Sequence, residues 1–574
     1  MRRFLNLTVL LVVLAISSIS FAIWGWSVQA HALELTTSDI FYRALGSITL
    51  LTFYEDASTF NHEWRIEIAR WLGLATFSVI GAKALMLLLS KQLAEIGGRQ
   101  RSGHLLIVGD HGVARWVAEA AGARRVLTTW ITDSVAPEPP VPGVLVVERR
   151  WNADVAETFG ADRARQCLVA FGDEARLIAA VRDLRQAAPK VPVVMNCADP
   201  WFAERMDELE NISGVRIVSE AQLALRALHW THPPFLVAKA LGQQRIHAVM
   251  LGFGRGGEAA MTDLLLSSLV TYLGKPKLTI IDPRAREIEA SLALRCPDLR
   301  GSVDIDVIDP GFSYDSRIVP RAALEAAHAD VPITVVYVSL DNDQRSMAAA
   351  ISMQALVRRA GWTIGPIFTR VSAHGALPDQ GVEGEAGQSA GLVSFGSMYD
   401  FASGIGLFES DPDALPRQFH EAYRRGAPDH AAANMPWEDL REEHRESNRR
   451  LVMHLPAKLA SSGFDLGQWI EAQRKPGNND AESARLLTMP DFAADPKMLE
   501  ALAELEHERW MMERRLGGWS PGNKRDNARR IHPDLRPYED LSEHSKQFDR
   551  EIIIAAAAAL QSSYLERRAS GGQA

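Results

Sequence analysis

The N-terminal stretch from residue 4 to residue 26, FLNLTVLLVVLAISSISFAIWGW, contains no charged side chain. A helix of about 20 apolar residues can cross the hydrocarbon core of a bilayer, because it satisfies its own backbone polar groups there. Arg2 and Arg3 precede the stretch, and Trp24 and Trp26 close it as interfacial tryptophans do. The stretch therefore predicts a membrane-spanning helix, with the lipid bilayer as a partner of the chain.

A second apolar run, at about residues 68–90, predicts the other helix of a transmembrane hairpin. Its one lysine, Lys83, either extends to the interface or faces a partner helix or a pore. The segment 31–67 between the two runs holds six acidic residues and two arginines, whereas Arg2 and Arg3 precede the first run and Lys91, Arg99 and Arg101 follow the second. The positive-inside rule then predicts a multi-pass protein with both ends and the bulk of the chain in the cytosol. The expected location is a bacterial inner membrane.

Two alternatives to a simple anchor concern the same region. The first helix could be a secretory signal peptide cleaved near Ala30–Ala32, but its apolar run exceeds the ~7–15 residues usual for such peptides. The segment TFYED (52–56) sits where a two-helix potassium channel has its filter. Phe53 and Glu55 stand where such a filter needs glycine, so we expect an amphipathic extracytoplasmic segment instead.

The length and charge of the chain limit its class. A chain of 574 residues is too long for one hydrophobic core, so several domains are expected. A net charge of −9 gives no sign of a protein that binds a nucleic-acid polymer. The three cysteines form no CxxC pair, which predicts buried thiols rather than a metal site or a disulfide framework.

Short apolar runs alternate with helical stretches from residue 103 to residue 230, and the alternation starts again at residue 245. The first half contains the runs HLLIVG, QCLVAFG and VPVVMN, and the second contains RIHAVMLG, ITVVYVSLDND and TIGPIFTRV. The phrases CLVAFGDEARLIAAVRDL and TVVYVSLDNDQRSMAAAI occupy equivalent places in the two halves. Such alternation predicts parallel sheets flanked by helices, an α/β fold. The repetition predicts two Rossmann-like units in tandem.

The second unit opens with the loop MLGFGRGGEAA, whose glycines are spaced G-x-G-x-x-G. Gly252 permits a tight turn, Gly254 lets a phosphate approach the backbone, and Gly257 lets helix and strand pack closely. Asp282 ends the next predicted strand, where a carboxylate can take ribose hydroxyls, and Arg284 beside it could meet a phosphate instead. These five residues form the predicted cofactor site, for NAD(H) or another nucleotide.

The corresponding loop of the first unit, GDHGVA, departs from this pattern. His111 replaces the middle glycine and Ala114 the last one. A side chain at the middle position crowds the approach of a pyrophosphate. We therefore expect the first unit to be a structural or dimerising copy, although His111 could still contact a ligand.

Residues ~66–235 resemble the membrane-anchored RCK family (regulator of potassium conductance, TrkA-N type). The resemblance rests on ARWLG near the last membrane helix, GHLLIVGDHG, TFGADRARQCLVAFGDEARLIAA and PVVMNCADP. It implies Rossmann folds that sense NAD(H), other nucleotides or ions. It also implies assembly into dimers or rings beneath a membrane protein, so we expect a homo-oligomer with a role in potassium ion transport.

Residues 502–553 closely resemble the ryanodine-receptor (RyR) repeat domain, a small helical module. The matching elements are HERW, RRLGGW and HPDLRPYEDL. The stretch 419–464 resembles a segment that often precedes this module in bacterial fusions. The resemblance predicts an α-helical RyR domain at the C-terminus.

A basic cluster lies within this module. From Arg509 to Arg530 there are seven basic residues against two acids, with tryptophans interleaved. Aromatic rings that stack on bases beside arginines that bind phosphates suit a nucleotide, whereas the alternative is a core of aromatics with a solvated basic face. The predicted ligand-binding residues are Arg509, Trp510, Arg514, Trp519, Lys524, Arg525 and Tyr538.

Five regions follow from these patterns. They are a transmembrane hairpin (1–100, helices about 4–26 and 68–90), a first RCK/Rossmann-like domain (101–240), a second one (241–410), a helical linker (411–475) and the RyR domain (476–574).

The sequence predicts a sensor rather than an enzyme. It contains no HExxH or Walker motif, and a Rossmann fold alone does not confer hydride transfer. The favoured interpretation is a membrane-anchored protein that couples nucleotide binding in its cytosolic domains to its transmembrane helices. The alternative is an antiphage-type effector whose RyR domain binds a cyclic nucleotide and whose helices disrupt the membrane. An NAD-dependent oxidoreductase is the third hypothesis.

Overall fold

The computed structural model describes most of the chain, in two compact units. The described residues are 2–49, 63–134, 141–197, 199, 215–311, 319–371, 391–396, 413–426, 434–467, 492 and 494–570. The units are Met1–Gln100 and Arg101–Ala574. The segment TFYED (52–56), at the position of a channel filter, lies outside the described residues.

The N-terminal compact unit, Met1–Gln100, consists of helices. They are α1 (Arg2–Gln29), α2 (Thr37–Thr49) and α3 (Trp64–Arg99). Within α1 and α3, the stretches Leu10–Gln29 and Trp64–Leu85 are long and apolar enough to cross a membrane, judged by length and composition. Many of their large apolar side chains are exposed, among them Val13, Ile16 and Trp71.

Small residues bring these helices close together. The Ser18 hydroxyl of α1 donates to the Ala69 carbonyl of α3 at 2.8 Å. A Cβ on Gly73 would lie 2.0 Å from the Ser47 carbonyl of α2. Close approach at small residues, with hydroxyls bonded across the contact, is how helices associate where lipid removes the hydrophobic drive between them.

The larger compact unit, Arg101–Ala574, begins with a six-stranded parallel sheet. Its strands are β1 (Leu105–Val108), β2 (Thr128–Thr132), β3 (Val144–Glu148), β4 (Gln166–Val169), β5 (Val193–Asn196) and β6 (Val215–Val218). Their order is β3-β2-β1-β4-β5-β6. The direction of travel reverses between β1 and β4, and such a switch point is where open α/β sheets form a ligand crevice.

A second six-stranded parallel sheet repeats this topology. Its strands are β7 (Arg245–Leu251), β8 (Gly274–Ile281), β9 (Asp304–Ile308), β10 (Val335–Val338), β11 (Ile367–Arg370) and β12 (Leu392–Phe395). The order β12-β11-β10-β7-β8-β9 is the same as in the first sheet when read from the other edge. The predicted α/β fold with two Rossmann-like sheets is therefore confirmed.

Helices connect the strands of both sheets. They are α4 (Gly112–Ala123), α5 (Ala153–Thr158), α6 (Glu174–Ala187), α7 (Glu220–Thr231), α8 (Pro234–Ala240), α9 (Arg255–Ser267), α10 (Ala285–Arg295), α11 (Arg321–Asp330) and α12 (Asp343–Ala360). The second sheet has an apolar core on each face, one around Tyr337 and Phe368 and the other around Val336 and Ile367.

The C-terminal part is predominantly helical. Its elements are α13 (Ala414–Gly426), α14 (Glu442–Met453), α15 (Leu455–Ser461), α16 (Pro496–Leu516), β13 (Ser520–Pro521), β14 (Ile531–His532) and α17 (Glu543–Ser570). Leu505 and Met512 of α16 belong to the same buried core as Leu264 of α9 and Met250 of β7. The C-terminal helices therefore share apolar packing with the second Rossmann unit.

Candidate functional site

The glycine loop of the second sheet turns between β7 and α9. Gly252 has a φ of +86°, and a Cβ there would lie 2.5 Å from the Ser339 carbonyl oxygen, so the turn requires glycine. A Cβ on Gly257 would lie 2.4 Å from the Gly252 carbonyl oxygen, because α9 packs closely on the strand. These two glycines shape the loop itself.

Gly254 has a different place in the same loop. It is the N-cap of α9, in an extended conformation (φ −81°) that other residues also adopt. A Cβ on Gly254 would meet no atom of the described residues within 4 Å. The N–H groups of a first helical turn have no partner within the helix, and they lie at the positive end of its dipole. The backbone is therefore open to an anion such as a phosphate at this position.

Asp282 follows β8, at the position predicted for the acid that reads a ribose. The Phe253 N–H donates to its Oδ2 and the Arg284 N–H donates to its Oδ1, both at 2.8 Å. The residue is 5% exposed, whereas the Arg284 side chain beside it is 57% exposed. Asp282 Oδ1 also accepts from Arg284 Nε at 3.3 Å. Asp282 therefore holds the glycine loop to the end of β8, and a ribose contact would use the lone pairs that these three bonds leave.

The glycine loop of the first sheet makes the same turn. Gly109 has a φ of +129°, and a Cβ there would lie 1.9 Å from the Ala170 carbonyl oxygen. His111 is the N-cap of α4, and its Nδ1 accepts from the Val113 N–H at 3.4 Å. The side chain at the middle position thus caps its own helix, where the second loop has the bare backbone of Gly254.

Charged residues of the first sheet pair with one another around this loop. The Arg176 guanidinium of α6 donates to Asp110 Oδ2 at 3.0 Å and also to Asp133. Asp133 directly follows β2, just as Asp282 follows β8. The carboxylate at this strand end is therefore neutralised from within the first unit.

A cavity of about 550 Å³ lies among the C-terminal helices. Its walls come from α13, α14, α16 and α17 and from the loop around β14. Of the predicted ligand-binding residues, the structure brings Arg509, Trp510 and Arg525 to this cavity.

Arg509 lines the cavity but is already paired. Its guanidinium donates to Glu506 Oε1 at 2.8 Å and to Glu513 Oε2 at 2.7 Å, and the residue is 2% exposed. Burial disfavours these charges, but the attraction between them dominates, so the pKa of Arg509 is raised and that of Glu506 is lowered to about 2. Arg509 therefore organises the wall of the cavity rather than offering a free cation to a phosphate.

Trp510 is part of a cluster of rings. It stacks on the His507 imidazole, with ring centroids 5.5 Å apart, and meets the His532 ring edge-on at 4.9 Å. The Arg514 guanidinium lies 5.7 Å from the Trp510 ring and 5.4 Å from the Trp519 ring. Both tryptophans are half-buried, so the cluster joins the core of the domain to the cavity wall.

The other predicted residues lie in differing surroundings. Arg525 is exposed at the cavity and donates to Asn527 Oδ1 at 2.9 Å, and Lys524 before it is exposed. Tyr538 is 6% exposed and donates to Glu500 Oε1 at 3.2 Å; burial raises the pKa of its hydroxyl. Tyr538 thus has a core position, whereas Arg525 is exposed at the cavity wall.

Histidines are the cavity residues that sequence reasoning missed. His420, His444, His507 and His532 all line it. Burial opposes a charge on His507, but its bonds to the Asp549 carboxylate (3.3 Å) and the Arg536 carbonyl (2.9 Å) raise its pKa. Burial lowers the pKa of His532. Two of them lie in the quoted motifs HERW and HPDLRPYEDL, which is the signal that could have found them.

The helices that precede the RyR-like module supply the opposite wall. Tyr423 of α13 and His444, Ser447 and Asn448 of α14 line the same cavity. Asn448 Nδ2 donates to the His444 carbonyl at 2.8 Å, so its amide oxygen keeps its acceptor sites. The cavity is therefore composite, and it mixes aromatic rings with hydrogen-bonding groups rather than concentrating positive charge.

Among the described residues no group of three or more His, Cys, Asp or Glu side chains could hold a metal ion.

Comparison with protein families identifies one segment. Residues 493–563 match the RyR domain family. The match includes α16, the β13–β14 pair and most of α17, so this part of the chain is a RyR domain, as predicted. No curated protein matches the chain.

Solved structures that the chain resembles include several of GsuK. GsuK bound to ADP is 17% identical, with a TM-score of 0.32, over 65% of this chain and 90% of that chain. The GsuK channel bound to NAD is 14% identical, with a TM-score of 0.37, over 73% and 86%. The GsuK RCK domain is 13% identical, with a TM-score of 0.32, over 47% and 70%.

Proposed function

We propose that this chain is a membrane-anchored nucleotide sensor, in which ligand binding in the cytosolic domains acts on the apolar N-terminal helices. The observation that carries the proposal is the open backbone at Gly254. A bare N-cap at a sheet's switch point offers an anion the helix N-terminus, while Gly252 and Gly257 give the loop its shape. The ligand of this loop is NAD(H), ADP or another nucleotide.

The cavity beside the RyR domain is proposed as a second nucleotide site. Trp510, His532 and Tyr423 offer ring surfaces for a base, and Asn448 offers hydrogen bonds to its edge. Arg525, exposed at the wall, is the cation for a phosphate. Arg509 supports this site through its pairs with Glu506 and Glu513.

Conduction of ions across the membrane would require more than one copy of the chain. Two helices cannot enclose a pathway, so conduction would need a homo-oligomer. We propose a regulatory role in ion transport rather than catalysis, with the bulk of the chain in the bacterial cytosol. The oxidoreductase hypothesis lacks a partner domain that would bring a substrate to a nicotinamide.

One observation favours a second candidate, the membrane-disrupting effector. The cavity of about 550 Å³ lies at the RyR domain and not at the glycine loop, so the governing ligand could be a cyclic nucleotide bound there. Leakage of dye from vesicles that contain the protein, triggered by a cyclic nucleotide but not by ADP, would favour this candidate over the transport regulator.

The cavity proposal is tested with one arginine and its neighbour. Calorimetry on the full chain in detergent would use a panel of ADP, NAD and cyclic nucleotides. Arg525→Ala should weaken the nucleotide that binds the cavity by roughly ten- to hundredfold, since one charge-assisted hydrogen bond is lost. Arg529→Ala is the matched control, because Arg529 has a side chain 80% exposed on the same loop and does not line the cavity.

Three outcomes decide the matter. Weaker binding in Arg525→Ala but not in Arg529→Ala supports the cavity site. A nucleotide whose binding is weakened by Gly254→Val instead is one that binds the glycine loop. Equal weakening by Arg525→Ala and Arg529→Ala would mean attraction to a diffuse basic surface. Binding of the whole panel unchanged in Arg525→Ala, or no binding at all, would contradict a nucleotide site in this cavity.

A further inference from the structure

The buried Lys458, which does not line the cavity, pairs with a residue of the cavity wall. Glu506 lines the cavity, and its Oε2 lies 2.7 Å from Lys458 Nζ of α15. Both residues are 0% exposed. Burying such a pair costs several kcal/mol per ion before their attraction offsets it, and an apolar pair of similar volume is often no less stable. Packing alone therefore does not require these charges here.

The lysine connects onward through a histidine. Lys458 Nζ lies 3.1 Å from His454 Nδ1, and His454 Nε2 lies 2.8 Å from the Leu269 carbonyl oxygen. Burial and the adjacent ammonium group of Lys458 hold the pKa of His454 well below its usual range, so the ring is neutral. Nε2–H then donates to Leu269 while Nδ1 accepts from Lys458, and the two nitrogens face opposite partners.

The far end of this connection belongs to the second Rossmann unit. Leu269 closely follows α9, whose N-terminus is the glycine loop at Gly254. The 13 residues of α9 correspond to a rigid element of roughly 20 Å. A continuous path therefore runs from the cavity wall, through Glu506, Lys458 and His454, to the helix that presents the glycine loop.

We propose that occupancy of the cavity and occupancy of the glycine loop are coupled through the Glu506–Lys458–His454–Leu269 chain. The inference rests on the proposed function, because it assumes that each place binds a ligand. A ligand that shifts Glu506 changes the partner of Lys458, and the change reaches α9 through the His454 ring. Linkage requires the coupling to be reciprocal, so a ligand at the glycine loop must alter the cavity wall equally.

Other ion pairs join α14 to its neighbours α16 and α7 without His454. Arg450 of α14 lies 3.3 Å from Glu513 of α16, and Arg226 of α7 pairs with Glu446 of α14. Changing His454 therefore interrupts the chain while these contacts keep the helices in place. His454→Leu removes both hydrogen bonds and leaves the Lys458–Glu506 pair. His454→Gln is the matched control, because its amide can donate to Leu269 and accept from Lys458.

The test is hydrogen exchange on the full chain in detergent, with ADP as the probe of the glycine loop. In wild type and His454→Gln, ADP should slow exchange in residues 252–258 and also in residues 503–513, by at least about fivefold, the low end of measured couplings. In His454→Leu, protection of 252–258 should persist and protection of 503–513 should vanish. Persistent protection of 503–513 in His454→Leu would overturn the proposal.

A second comparison keeps the coupling testable if ADP protects neither segment of the wild type. That result would count against nucleotide binding at the loop and not against the chain of contacts. Without ligand, His454→Leu should then exchange the helix-bonded amides of residues 259–267 in α9 at least about fivefold faster than His454→Gln. Equal exchange at 259–267 in the two variants would overturn the coupling.

Discussion

The two Rossmann units have the same strand order, yet their glycine loops differ in what they leave open. Gly109 and Gly252 make the same left-handed turn against the carbonyl of the facing strand. The first loop then presents His111, whose side chain caps its own helix, and the second presents Gly254 with no side chain. The fold is thus shared, whereas access of an anion to the helix N-terminus is a property of one residue in each loop.

The strand-end acids differ in their partners. In the first Rossmann unit Asp133 and Asp110 share the Arg176 guanidinium of α6. In the second, Asp282 bonds to the Phe253 and Arg284 N–H groups and, at 3.3 Å, to the Arg284 side chain. Arg176 thus bridges the loop and the strand end of the first unit, whereas Arg284 pairs with the acid two residues before it and its side chain stays 57% exposed.

The largest effects should come from the glycines that the two loops share. Gly252→Ala and Gly109→Ala each force a Cβ into a carbonyl oxygen at positive φ, and each should cost about 2–4 kcal/mol of folding stability. Thermal melting of the full chain in detergent measures this loss. If one of the two variants melted like wild type, the turn would not be shared and the two units would differ in fold as well as in access.

A smaller effect on folding stability should come from pH, through a buried histidine in the second Rossmann unit. His247 of β7 bonds to the Val331 carbonyl (2.6 Å) and the Thr279 hydroxyl (2.9 Å), and burial lowers its pKa to about 4. The unfolded chain binds a proton near pH 6.5 that the folded chain takes up only near pH 4, so stability falls as pH falls through this window. Between pH 6.5 and 4.5 the loss due to His247 should be about 2 kcal/mol.

His247→Asn is the variant that isolates this contribution, because its amide can replace the bond to Val331. Its melting temperature should depend less on pH than that of wild type in this window. Burial also lowers the pKa of His104, which precedes β1, so His104→Asn provides the same comparison in the first unit. An unchanged pH dependence in His247→Asn would show that this histidine does not titrate on unfolding.

Much of the fold could be predicted from the sequence, because local residue patterns indicate its strands and helices. The apolar runs bounded by Gly109 and Gly252 predicted parallel strands, and the HERW and RRLGGW motifs predicted the RyR domain that the family match confirms. Two apolar stretches predicted helices apolar enough to cross a membrane. Each of these signals is contained within a few tens of residues.

The site could be predicted only in part, because its geometry depends on distant segments. The cavity joins His444 and Asn448 of α14 to Trp510 of α16, and no local pattern shows that these helices meet. Composition suggested a basic cluster, but folding pairs Arg509 with Glu506 and Glu513. Charge counted along a sequence does not reveal which charges are already neutralised. The predicted ligand roles and domain boundaries stay predictions.

The comparison between the loops is tested most directly by titrating ADP into three forms of the full chain in detergent: wild type, Gly254→Val and His111→Val. A valine at position 254 would fill the open space above α9, so Gly254→Val should weaken ADP by at least about thirtyfold, or roughly 2 kcal/mol. Its melting temperature should change little, because its Cβ meets no described atom. His111→Val should bind ADP within about twofold of wild type. Equal losses in both variants, or wild-type affinity in Gly254→Val, would contradict the assignment of nucleotide binding to the second loop.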